Sequence, residues 1–240
     1  MSRAAEGQVV MPFYILCDVS GSMWADIPAL NAGLARLRQD IMRDPVVDDL
    51  TMLSVITFAD TARTVVPLSF PTEVKAPTLV SGGLTNFGPA FREFHRAFEV
   101  DRVRLKGEGK RIFRPCVFFL TDGEPTDGDY AQVFASLLGY DPATKQGNPR
   151  YPYVTAFGFR EAAAETMATI TYPDFGEKRG RYFLAQQGAA ISDLLVAIGG
   201  AIATSVIGSA LSAGSGMPKY VPPADNAIPG MEVDARAVRQ

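Results

Sequence analysis

Histidine is almost missing from this 240-residue sequence: there is one, His95, alongside two cysteines, Cys17 and Cys116, and one tryptophan, Trp24. So few nitrogen and sulfur donors leave no plausible cage for zinc or another soft metal. A serine hydrolase fares no better, since Ser20 lacks the G-x-S-x-G elbow and His95 is the sole candidate base. A structural disulfide is not expected, because each cysteine sits in an apolar run assigned to a neighbouring strand, at a different distance from the strand end. Net charge is also small. The 23 Lys and Arg against 26 Asp and Glu, mixed along the chain, give −3 overall. No global field is present to draw in nucleic acid or an anionic membrane, so electrostatics points to a local site. The opening Met-Ser-Arg-Ala-Ala-Glu-Gly carries no charged-then-apolar leader, which makes the cytoplasm the expected location.

One run lacks charge altogether, from Leu194 to Gly216, and it is long enough in principle to cross a bilayer. Its composition is dominated by Ala, Gly, Ser and Thr, with Gly199 and Gly200 adjacent and no flanking basic cluster or aromatic belt. A small-residue helix packed on the domain is therefore expected in place of a membrane span.

With 47% apolar residues the chain can bury the core of one larger domain. Pro12 to Cys17 is an apolar run closed by Asp18, as in a strand buried on both faces. After a glycine loop, Asp26 is a candidate N-cap with Pro28 in the first turn, and Leu30, Leu34, Leu37 and Ile41 recur at helical spacing up to Pro45. Leu50 to Phe58 and Thr64 to Phe70 are β-rich and so closely joined that they must pair antiparallel. Phe87, Phe91, Phe94 and Phe98 mark one face of a helix and are read as core, with His95 flanking them. Phe113 to Leu120 is a second continuous apolar run, again closed by an acid in Thr121-Asp122-Gly123. A helix at Tyr130 to Leu138, a strand at Tyr153 to Phe159, a helix near Glu161 to Ile170, a strand at Arg181 to Ala185 and a long helix from about Ala189 to Leu211 follow.

This alternation predicts an α/β fold: a doubly wound, mostly parallel open sheet with one antiparallel edge strand. The predicted division is an N-terminal arm at 1–8, one domain at 9–211, and a flexible tail at 212–240 containing Pro218, Pro222, Pro223 and Pro229. The basic residues Arg102, Arg104, Lys106, Lys110 and Arg111 are expected in a solvated loop before the central strand.

Chemistry concentrates in three segments that such a sheet brings to one edge, at the carboxyl ends of its strands. Asp18, Ser20 and Ser22, two apart, follow the first strand; Thr85 precedes the Phe-striped helix in Gly82-Gly83-Leu84-Thr85-Asn86; Asp122 closes the central strand. Two carboxylates held close repel unless a cation lies between them. Hydroxyl and carboxylate oxygens favour a hard ion: magnesium, manganese or calcium. Glu124 and Asp127 should rim this site, either tuning its charge or holding the turn, and Trp24 stands beside it either as an exposed anchor or as a cover for the first helix.

Asp18-Val19-Ser20-Gly21-Ser22 resembles the D-x-S-x-S signature of von Willebrand factor A domains, Thr85 matches that family's lone threonine, and Asp122 its T-D-G aspartate. The resemblance implies a metal-ion-dependent adhesion site formed by Asp18, Ser20, Ser22, Thr85 and Asp122. There the hydroxyls touch Mg2+ (or Mn2+ or Ca2+), the aspartates act largely through water, and an Asp or Glu of a protein partner completes the shell. It implies binding without a catalytic residue, and relatives shift the last helix when the site fills. Asp-Val-Ser-Gly-Ser-Met, Leu53 to Phe58 and Thr121 to Asp127 further resemble the bacterial tellurium-resistance TerY group, over about residues 9 to 211. That group is associated with stress response, sometimes beside a protein kinase and a PP2C-type phosphatase, so the implied partners are those or other tellurium-resistance proteins. The rival from another class is a magnesium-dependent phosphotransferase of haloacid dehalogenase type with Asp18 as nucleophile. It needs a second acid two residues on, where this chain has Ser20.

Overall fold

The computed structural model describes residues 7–175 and 180–234. Most of the predicted arm at 1–8, and the predicted tail from residue 235, lie outside these. The chain runs through β1 (Val9–Asp18), α1 (Ile27–Met42), α2 (Pro45–Leu50), β2 (Thr51–Phe58), β3 (Ala62–Ser69), α3 (Phe87–Gly107), β4 (Arg111–Ile112) and β5 (Cys116–Thr121). It continues through α4 (Tyr130–Leu138), β6 (Tyr140–Asp141), β7 (Gln146–Gly147), β8 (Tyr153–Gly158), α5 (Ala164–Ile170), β9 (Arg181–Ala185), α6 (Ile191–Gly214) and β10 (Met231–Val233).

Among the described residues the main sheet has the order β10-β9-β8-β5-β1-β2-β3, with β4 beside the start of β1. From β2 to β9 neighbouring strands are parallel, and β3 returns antiparallel along β2. This is the predicted α/β sheet, including its antiparallel edge. The other edge is antiparallel as well, because β10 pairs with β9.

Alternation along β1 divides the core. Met11, Phe13, Ile15 and Cys17 point to the side where Leu30, Leu34 and Leu37 of α1 and Leu195, Ile198 and Ile202 of α6 are buried. Val10, Tyr14 and Leu16 point to the side covered by the four phenylalanines of α3, by Phe134 of α4 and by Met167 of α5. The phenylalanine stripe is thus core, with Phe91 edge-on to Phe134 at 5.0 Å and Phe87 edge-on to Phe119 at 4.8 Å. Cys17 and Cys116 are buried free thiols. Cys17 stands opposite Leu120, while Cys116 pairs with Phe13, four residues away along the strand.

The long apolar helix α6 meets the length and hydropathy of a membrane span, yet 61% of its most apolar window is buried inside the domain. Its small residues explain how. A Cβ added at Gly199 would lie 3.1 Å from the Gly33 carbonyl oxygen, and one at Gly33 would lie 3.1 Å from that of Leu195. Helices α1 and α6 therefore cross backbone against backbone.

Three expectations are corrected. The flexible tail from Ser212 is not what the described residues form: α6 continues to Gly214, and Tyr220, Ile228 and Met231 are buried. Tyr220 stacks on Tyr153 at 5.0 Å, and its hydroxyl lies 2.8 Å from that of Thr155. Burial of these few large side chains is what holds the segment, despite its prolines. The basic stretch is not a loop either. Arg102, Arg104 and Lys106 belong to the last turns of α3, where Arg102 pairs with Glu99 at 2.6 Å and Arg104 with Asp101 at 3.2 Å, and Lys110 is buried against Glu108. Between Pro45 and the second strand the chain also forms α2, because the Asp44 carboxylate accepts the Val46 amide at 2.9 Å and Pro45 suits a first helical position.

Candidate metal centre

From β1 the chain winds one way, toward β2 and β3; from β5 it winds the other way, toward β8 and β9. The winding reverses between β1 and β5, and the carboxyl ends of strands at such a switch point are where open α/β sheets bind ligands. Asp18 ends β1 and Asp122 follows β5, and both are buried, at 0% and 1% exposure.

Two of the three predicted segments meet directly. Asp18 Oδ1 accepts the Ser20 amide at 2.8 Å and Oδ2 accepts the Thr121 hydroxyl at 2.6 Å. The Ser22 hydroxyl donates to Asp122 Oδ1 at 2.8 Å, and Ser20 Oγ lies 3.1 Å from Ser22 Oγ. With the Ser22 proton committed to Asp122, the shared serine contact takes its proton from Ser20. Both hydroxyls then keep lone pairs free to accept a cation.

The third segment is stitched to the other two through backbone. Gly21 N–H donates to the Gly83 carbonyl at 3.0 Å and Gly82 N–H to that of Val19 at 2.7 Å. On the other side the Thr126 amide donates to the Thr85 carbonyl at 2.7 Å. Thr85 is buried at 8% exposure, and among the described residues nothing hydrogen-bonds its hydroxyl. Gly83 is required in this loop: its φ is +88°, and a Cβ there would collide with the Asp60 carboxylate, which receives the Leu84 amide.

Electrostatics at the centre is unbalanced. Burial raises the Asp18 carboxyl above the usual carboxylate range, opposed by the hydrogen bonds from Thr121 and Ser20, and the charge of Asp122 adds to the rise. Arg160, just beyond β8, bridges Asp122 Oδ2 at 2.7 Å and Asp26 Oδ2. Asp26 therefore does not cap α1, as its position in the sequence had suggested; its carboxylate is turned to the guanidinium. One guanidinium against the three buried carboxylates Asp18, Asp26 and Asp122 leaves two formal negative charges.

A divalent cation fits that deficit, and the donor set suits a hard one: Ser20, Ser22 and Thr85 hydroxyls with Asp18 and Asp122 behind them. Among the described residues no three His, Cys, Asp or Glu side chains gather into a metal cluster, so hydroxyls would have to carry much of the coordination. A nucleophilic Asp18 is disfavoured, because it is fully buried with both carboxylate oxygens accepting hydrogen bonds.

Glu124 and Asp127 act as helix caps in place of rim charges. Asp127 accepts the Phe87 and Gly88 amides at 2.8 and 2.6 Å at the start of α3, and Glu124 accepts the Ala163 amide and the Thr166 hydroxyl at the start of α5. Trp24 is 74% exposed beside this loop, and Leu84 is 57% exposed next to Thr85. His95 is half-buried on α3, in no contact with the centre. The sequence reading missed Arg160 and the second role of Asp26. The one signal for Arg160 was its place at the carboxyl end of a strand next to the switch point.

No protein-family model matches the chain, and no curated protein matches it. Solved structures do. The pilus adhesin SpaC from Lactobacillus rhamnosus GG, in its open conformation, superposes with a TM-score of 0.59 at 14% identity, over 84% of this chain and 31% of that one. Proximal thread matrix protein 1 from the mussel byssus superposes with a TM-score of 0.53 at 15% identity, over 85% of this chain and 49% of that one. The chain thus spans half or less of the length of these proteins. What it shares with them is the fold, an open mostly parallel sheet of the von Willebrand factor A type.

Proposed function

We propose that this chain is a divalent-cation-dependent protein-binding module. The observation that carries the reading is the meeting of Asp18, Ser20, Ser22 and Asp122 in one hydrogen-bonded chain at the switch point, with two negative charges uncompensated there. Asp18, Ser20, Ser22, Thr85 and Asp122 would hold Mg2+, or Mn2+ or Ca2+. A cation held mainly by neutral hydroxyls supplies an electrophilic position for an outside carboxylate. Ser22 is exposed, so a partner's Asp or Glu has an approach from its side, and Trp24 offers an exposed aromatic anchor beside that approach. Nothing in this arrangement calls for a chemical step.

The finer reading rests on the motif likeness to the TerY group. It makes the chain part of a bacterial stress or tellurium-resistance system in the cytoplasm, with a kinase, a PP2C-type phosphatase or another protein of that system as partner. The test is affinity capture from lysate of the source organism on the immobilised chain, in magnesium, in chelator, and with Asp18→Ala. Partners retained only by the unmodified chain in magnesium support the reading. Equal retention in all three defeats it.

A further inference from the structure

Arg160 is unusual among the basic side chains of this molecule. Of the arginines of α3, Arg96, Arg102 and Arg104 pair with acids three or four residues away, and Arg92 reaches a single acid on another segment, Asp129. Arg160 instead ties together segments 38 and 134 positions away in sequence, Asp122 behind β5 and Asp26 before α1. Its partners are buried, with side chains 0% and 9% exposed.

The backbone beneath it is also unusual. Arg160 has φ of +53°, in the left-handed region that a residue with a Cβ seldom adopts. It is clamped there from both sides: the Phe159 amide donates to the Thr121 carbonyl at 3.1 Å and the Glu161 amide to the Asp122 carbonyl at 3.0 Å. Such a conformation persists where the surrounding structure over-determines it, and here it aims a fork of two N–H groups at two different carboxylates.

We propose that Arg160 is a tethered counter-cation that sets how tightly the centre holds a divalent ion. This rests on the metal reading above. The guanidinium neutralises one of three buried negative charges and occupies Asp122 Oδ2, while Asp122 Oδ1 faces Ser22. It lowers the affinity for an ion in two ways, by repulsion across a short, partly desolvated distance and by claiming a carboxylate that the ion would otherwise draw on. It also keeps Asp26 and Asp122 paired when no ion is bound, so the empty centre does not have to hold three bare carboxylates. The affinity that results is a compromise built into the chain.

The experiment is calorimetric titration of MgCl2 and MnCl2 into the full chain, into Arg160→Gln and Arg160→Lys, with Asp18→Ala as the reference. Loss of the charge in Arg160→Gln is expected to tighten binding of either ion about tenfold, and Arg160→Lys to stay within about threefold of the unmodified chain. Affinity in Arg160→Gln that is unchanged or weaker, while the unmodified chain binds and Asp18→Ala does not, overturns the role of Arg160 and leaves the metal reading standing. Absence of uptake by the unmodified chain overturns both. Should Arg160→Gln fail to fold, the side-chain Nε resonance of Arg160 in the unmodified chain serves instead. It is expected to move on addition of MgCl2, and a fixed position overturns the proposal.

Discussion

Glu93 joins two elements through one carboxylate. It accepts the Thr64 amide at 3.1 Å and the Thr64 hydroxyl at 2.6 Å from β3, and both Arg96 contacts at 2.7 Å. The Arg96 hydrogen bonds, with those from Thr64 and against the cost of burial, lower its carboxyl from 4.5 to about 2. A carboxyl whose folded value is depressed stabilises the fold above its unfolded value and loses that contribution as pH falls through the folded one. Glu93→Gln is therefore expected to lose about 1–2 kcal/mol at neutral pH, after discounting for the exposure of Arg96. The deficit should fade between pH 4.5 and about 2. Urea unfolding at pH 7 and at pH 2.5 checks it, and an equal gap at both would mean that the charge contributes nothing. The metal candidates were the most legible residues in the sequence, because the type and spacing of Asp18, Ser20 and Ser22 carry the chemistry locally. Arg160 was not, since its contacts come from the ends of β5 and β8 meeting the start of α1, which no local spacing encodes.

At the scale of elements, the loop after β5 does more than carry Asp122. Through Asp127 it supplies the capping acid that the start of α3 lacks in its own sequence, where Asn86 makes no side-chain cap. A carboxylate on two free amides at a helix N-terminus is worth about 1–2 kcal/mol, so Asp127→Ala should cost that much in chemical denaturation. Because Thr85 lies just before that helix, the same change is expected to weaken cation uptake, and a variant that loses stability but keeps full uptake would separate the two. Periodicity made the large elements readable: α1, the phenylalanine face of α3, α4 and β9 fall where the pattern puts them. The short ones resisted. Strand β10 is three residues of Met-Glu-Val whose partner lies more than forty positions earlier, and α2 is a single capped turn or so between two stronger signals. The β6 and β7 hairpin has two residues to a side and no apolar alternation at all.

Over the whole molecule, the buried charge at the switch point is expected to make stability depend on whether the proposed centre holds an ion. An ion that binds the folded chain and not the unfolded one adds about 2.7 kcal/mol at a hundredfold excess over its Kd. For a chain of this size that is roughly 5–10 °C in Tm. Thermal melts in MgCl2 against chelator are expected to show such a rise, and Asp18→Ala to abolish it. A melting curve indifferent to every divalent ion tried would remove the centre from the account of this fold.

Gly33 and Gly199 give this dependence a mechanical side. Where the two helices touch through main-chain atoms there is no side chain to bend or change rotamer and absorb a small displacement. The head of α1 begins beside Asp26, so a tilt of α1 on cation binding would be expected to reach α6, about 36 Å long, through this close crossing. A bulkier pair at that crossing would hold the two helices further apart, and such a tilt would be expected to fade before it reached the far end of α6.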